Sequence, residues 1–181
     1  MSLRFIVRGA TFSPCERYRF TLDRTWDARR PLAVFIGVNP STATAELEDP
    51  TIRRCIAFAK AAGCGRFRML NLFAWRATDV NELLGNPAHT PENDAAILAG
   101  VAGARFVVCA WGAKSGLVGR LVRERADAVL ELLKGRELYC LSVTNDGSPA
   151  HPLYLPKTLK PIPYGAADVG GLAQAALRRK P

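Results

Sequence analysis

A chain of 181 residues that is 49% hydrophobic and 23% charged can close one core over roughly 70% of its unfolded surface, which excludes a disordered chain. No apolar run approaches the ~20 residues needed to cross a bilayer, and Arg4 and Arg8 interrupt the only apolar stretch near the start, so neither membrane span nor signal peptide is expected. Lys and Arg exceed Asp and Glu by nine, a balance that attracts polyanions and points to a nucleic acid or nucleotide as partner. A cytoplasmic protein with no membrane partner is the simplest expectation.

The five cysteines are odd in number and form no CxxC pair, and only two histidines accompany them. Reduced, structural thiols are therefore expected, with no metal and no cofactor.

No repeat or linker divides the chain, so residues 1–181 read as a single domain. Leu32 to Val38 is an unbroken apolar run closed by Asn39-Pro40 and reads as a buried strand. Asp49-Pro50 opens a helix through about Ala62, with Gly63 as its stop. Arg66 to Ala74 is a second strand, and Pro91 begins a helix that ends at Gly103. Ala104 to Ala110 is the third strand. Lys114 to about Leu133 is helical, with a break near Glu124 to Asp127 left open. Leu138 to Val143 is the fourth strand, Thr144 to Pro156 is rich in turns, and Ala167 to Arg179 has the spacing of a terminal helix.

Strand and helix alternate, so right-handed βαβ crossovers predict an α/β fold: a four-stranded parallel sheet with helices on both faces, in three αβα layers. Ligands of such folds lie beyond the carboxyl ends of the strands. Those ends are 37–45, 71–78, 111–115 and 144–156, where polar and turn residues concentrate.

Three segments there carry chemistry. In Gly37-Val38-Asn39-Pro40-Ser41, glycine allows close backbone approach and Pro40 forces Asn39 to be extended. The Asn39 amide can orient a water or simply cap a turn. Asn71 interrupts the apolar strand Met69-Leu70-Asn71-Leu72-Phe73; if buried it needs partners, either neighbouring backbone or the donor–acceptor edge of a nucleobase. His151-Pro152-Leu153-Tyr154-Leu155-Pro156 is a proline-bracketed loop that either packs its leucines on the core or wedges into stacked bases. His89, in a loop without a neighbouring carboxylate, reads as a surface residue. Arg53, Arg54 and Lys114 lie beside these tips, as phosphate contacts or as solvated helix charges.

The order GVNP, MLN, CAWG and HPLYL, from about Leu32 to Pro156, resembles the uracil-DNA-glycosylase superfamily. With RYRF near the start, the whole sequence looks nearest to an uncharacterised bacterial family, a domain of unknown function related to it. The resemblance implies a uracil-DNA-glycosylase-like domain that acts on DNA or nucleotides in base excision repair. Asn39 would hold the attacking water, and Asn71 would read the extruded base. His151 would stabilise charge on the departing base, Leu155 would be the wedge, and Gly37, Pro40 and Ser41 would line the substrate. Hydrolysis of the N-glycosidic bond of a modified base is the implied activity, and a non-catalytic nucleic-acid or nucleotide binding module is the alternative. The chain departs from that pattern in two places. No aromatic residue lies between motif one and Phe58, and Ser41 stands where the uracil-specific branch has Tyr.

Overall fold

The computed structural model describes residues 7–86 and 90–165. Strands β1 (Val7–Phe12), β2 (Arg19–Thr25), β3 (Leu32–Gly37), β4 (Arg66–Asn71), β5 (Ala104–Cys109), β6 (Leu138–Cys140) and β7 (Ile162–Tyr164) form one sheet. Helices α1 (Pro50–Ala61), α2 (Pro91–Gly100) and α3 (Gly116–Leu132) connect the central strands. The strand order is β1-β2-β4-β3-β5-β6-β7.

The four expected strands are present and mutually parallel, β4 and β5 flanking β3 and β6 lying beyond β5. Among the described residues, however, the sheet has seven strands rather than four, and it is mixed. β1 and β2 extend it antiparallel at the β4 edge, and β7 does so at the β6 edge. These strands carry no apolar run: β2 reads Arg-Phe-Thr-Leu-Asp-Arg-Thr, and β7 is three residues with a central proline. Charged residues and proline are tolerated on strands near a sheet edge, which is why a search for apolar runs passes over them.

The pleat sends alternate residues of the all-apolar β3 to opposite faces. Ala33 and Phe35 join Ile52, Cys55, Ile56 and Phe58 of α1, while Val34 and Ile36 pack with Ile97 of α2 and Val122, Ala126 and Val129 of α3. Two separate apolar cores on the two faces of one sheet make helix, sheet and helix layers. Among the described residues, Cys55, Cys64, Cys109 and Cys140 are buried free thiols and Cys15 is an exposed one.

Helix boundaries follow local chemistry. Asp49 caps α1 by accepting the Ile52 N–H at 2.8 Å, and Pro50 occupies the first turn. Thr90 caps α2 in the same way, again with proline following. The α3 helix runs unbroken through Glu124 to Asp127, because Arg125 turns inward and pairs with Asp94 of α2. The helix expected over 167–179 and the surface placement of His89 fall outside the described residues. No described helix is long and apolar enough to cross a membrane.

Candidate functional site at the carboxyl ends of the strands

The connection from β3 runs to β4 on one side, and the connection from β4 passes back over β3 to β5 on the other. Loops leaving neighbouring strand ends therefore diverge, opening the crevice where open α/β sheets bind ligands. A cleft of about 400 Å³ occupies that place. It is lined by Gly37 at the end of β3, Asn39 and Ser41 after it, Asn71 at the end of β4, Lys114 after β5 and His151 after β6.

Each side chain is held by the backbone around it. Beyond β3 the chain stays zipped to the continuation of β4: Leu72 N–H donates to the Gly37 carbonyl at 2.8 Å and Phe73 N–H to Val38 at 2.9 Å. Asn39 then spends its amide hydrogens on backbone, Nδ2 donating to the carbonyls of Ala77 at 2.8 Å and Pro40 at 3.1 Å. That fixes the amide with Oδ1 as the free end, an acceptor without a donor among the described residues.

Asn71 is the reverse case. Its main chain is tied down: Asn93 Nδ2 donates to the carbonyls of Asn71 at 3.1 Å and Leu72 at 3.0 Å, and Arg125 Nε adds a second donor to Leu72 at 2.8 Å. Its side chain, on a residue only 1% exposed, has no partner among the described residues at either Nδ2 or Oδ1. A buried amide with both ends unmatched costs on the order of 1–3 kcal/mol, so the fold carries it at a penalty. Gly37 sits directly across the sheet from it. A Cβ there would come 2.6 Å from Met69 Cε and 3.0 Å from Asn71 Oδ1, so glycine keeps this floor open.

The histidine loop is docked onto the end of β5. Gly112 has a φ of +72°, and its N–H donates to the Pro149 carbonyl at 2.9 Å. A side chain on Gly112 would reach 3.0 Å from His151 Cβ, so that position combines left-handed backbone with close approach. The Leu153 N–H donates to His151 Nδ1 at 3.4 Å, which makes Nδ1 the acceptor and leaves the proton of the neutral ring on Nε2. Burial, reinforced by the positive charge of Lys114 and partly opposed by Asp49, lowers the imidazole's proton affinity, so the neutral form is favoured.

Six of the residues expected from sequence thus share one cleft: Gly37, Asn39, Ser41, Asn71, Lys114 and His151. The others stand outside it. Pro40 is buried beneath the loop and contributes its carbonyl to Asn39 and to Ala77 N–H. Leu155 packs on the α1-side core, and Arg54 donates to its carbonyl while lying over the Phe58 ring. Arg53 is exposed on α1 and donates to the Glu48 carbonyl at 2.6 Å.

Sequence reasoning missed further residues of the cleft, Asp49, Arg19 and Tyr154 among them. Asp49 lines it as well as capping α1. Arg19 of β2 is 2% exposed; Nη1 donates to the Ala43 carbonyl at 2.6 Å, and Nε has no partner among the described residues. Burial lowers its proton affinity to a pKa of about 10, still well above neutrality, and Asp49 offsets part of that fall. Tyr154 is 83% exposed, also lines the cleft, and its ring centroid lies 5.7 Å from that of His151. Of these, only Tyr154 left a trace in the sequence, as an aromatic in the histidine loop. A more open hollow of about 660 Å³ adjoins the cleft through Ser41, Ala77 and Thr78, and its walls include Arg17, Trp75 and Arg76.

The fold and the cleft define an α/β protein with an amide- and imidazole-lined site at the strand tips. Residues 19–153 match the model of the family described as "protein of unknown function (DUF1643)", and the chain belongs to that family. No curated protein and no solved structure matches the chain.

Proposed function

We propose that the cleft takes the base of a DNA strand or nucleotide and hydrolyses its N-glycosidic bond. The observation that carries this reading is the side chain of Asn71, buried, without a partner among the described residues at either end, and lining the cleft shared with Asn39 and His151. A carboxamide presents one donor and one acceptor side by side, which complements a nucleobase edge and would satisfy both orphaned atoms at once. The ordered motifs GVNP, MLN, CAWG and HPLYL, with their resemblance to the uracil-DNA-glycosylase superfamily, support the same assignment, as does the net charge of +9.

Breaking the bond builds positive charge on the sugar and negative charge on the leaving base. Neutral His151, with its Nε2–H as donor, would stabilise that negative charge, a contribution of about 3–4 kcal/mol by analogy with oxyanion holes. Asn39 Oδ1 would orient the attacking water. Tyr154, exposed at the cleft, supplies an aromatic surface against which a base could stack.

The test is release of free base from DNA containing uracil, xanthine or hypoxanthine, under enzyme excess, by the wild type and by Asn39→Ala. Release by the wild type with strong loss in the variant is expected. No release from any substrate sinks the hydrolytic reading. A second reading, a binding module without turnover, is favoured by one feature: Asn39 cannot accept a proton. Binding without base release, surviving Asn39→Ala, is its signature.

A further inference from the structure

We infer that Asp49 is the proton acceptor of this cleft, the catalytic carboxylate that takes the proton of the water oriented by Asn39. This inference rests on the glycosidic reading above and names the residue that reading lacks.

Among the described residues two carboxylates line the cleft, Asp49 and Asp79. Asp79 is occupied locally, its Oδ1 accepting both the Asn81 N–H and the Asn81 side-chain amide at 2.9 Å. Asp49 uses Oδ1 for the Ile52 N–H, and no described residue donates to its Oδ2. Capping alone does not call for an acid here, since asparagine caps a helix as well as aspartate. What only the acid adds is a charged oxygen that can receive a proton.

Its surroundings suit that role. Asp49 lines the same cleft as Arg19 of β2 and His151 of the histidine loop. The loop leading to it is strapped to β2 by two buried arginines, Arg19 at the Ala43 carbonyl and Arg24 at the Thr44 carbonyl and the Glu48 carboxylate. The carboxylate is thereby carried on a fixed support rather than on a free loop. Arg19, which lines the same cleft, hydrogen-bonds to the Ala43 carbonyl and leaves the free oxygen of Asp49 untied.

The step balances with water as the only co-reactant. The water oxygen bonds to the anomeric carbon as the carbon–nitrogen bond breaks, and that electron pair leaves with the base. The water proton passes to Asp49 Oδ2. The departing base, hydrogen-bonded by His151, gains its proton from solvent, and Asp49 returns its own to solvent. Free base and a hemiacetal sugar are the products.

The experiment compares base release from modified DNA by wild type, Asp49→Asn and Asp49→Ser, both replacements being good helix caps. With the proton acceptor gone, the single-turnover rate is expected to fall about 100-fold or more, the usual reach of general-base catalysis. DNA affinity and melting temperature are expected to match the wild type. Should one variant fold poorly, the other decides. A variant that releases base at the wild-type rate overturns the role of Asp49 and leaves the glycosidic reading standing. A wild type that releases no base overturns both.

Discussion

At the scale of single residues, Asn71 gives the sharpest test because a base-reading role would give its contributions to stability and to binding opposite signs. Replacing it with leucine, close to it in size, removes two unmatched polar atoms from a position that is 1% exposed. Asn71→Leu should therefore unfold at equal or higher denaturant concentration, with a gain of up to about 1–3 kcal/mol, while losing affinity for base-containing ligands. A large loss of stability would mean that the amide serves the fold rather than a ligand. His151 yields a pH prediction. Burial lowers its proton affinity below the ordinary value of 6.5, so as pH falls past that point the unfolded chain takes up the proton more readily than the fold does. Stability then declines on acidification below about pH 6.5, and this histidine contributes no slope above that range. His151→Asn keeps a short acceptor for the Leu153 N–H but cannot charge. The difference in melting temperature between variant and wild type should change between pH 7.5 and 5 in the variant's favour, whereas a constant difference would refute the assignment.

At the scale of elements, the site is positioned from the opposite face of the sheet. Asn93 at the start of α2 and Arg125 of α3 both hold the backbone where β4 ends, and Asp94 completes the group through its ion pair with Arg125. Asn93→Ala strips a donor from the buried carbonyls of Asn71 and Leu72. A cost of about 1–3 kcal/mol in chemical denaturation is expected, with weakened ligand binding although the cleft is untouched. Unchanged binding would show that the β4 terminus holds its geometry without α2. This positioning could not be read from the chain. Pro91-Glu92-Asn93-Asp94 looks like an ordinary helix start, and nothing in it says that Asn93 will bond carbonyls roughly twenty positions earlier. The apolar runs of β3, β4, β5 and β6 were legible because buried parallel strands require them, whereas β1, β2 and β7 were not, because strands toward an edge keep polar and proline residues.

At the scale of the molecule, the net charge of +9 and the hollow beside the cleft bear on what length of ligand is held. Arg17 and Arg76 line that hollow, although Glu16 and Glu82 line it too, so its field is mixed rather than uniformly positive. If single-stranded DNA runs through it, binding should weaken by about tenfold or more when salt is raised from about 50 to 200 mM, through loss of counterion release. Fluorescence anisotropy with a short labelled strand measures this directly. Affinity that does not respond to salt would confine recognition to the base and exclude the phosphates.

The sequence by itself determined the alternation of apolar runs and capped helices, and with it the α/β class, the parallel centre of the sheet and the strand tips where a ligand would enter. It also singled out Asn39, Asn71 and His151, because an amide inside an apolar strand or beside a strand-ending proline, and an imidazole between prolines, stand out against local pattern. Tertiary structure alone decided that these three share one cleft with Asp49 and Arg19. The reason is physical: a helix cap and an arginine in a polar strand satisfy local rules completely, and only the packing of α1 and β2 against the ends of β3 and β4 turns them toward a common space.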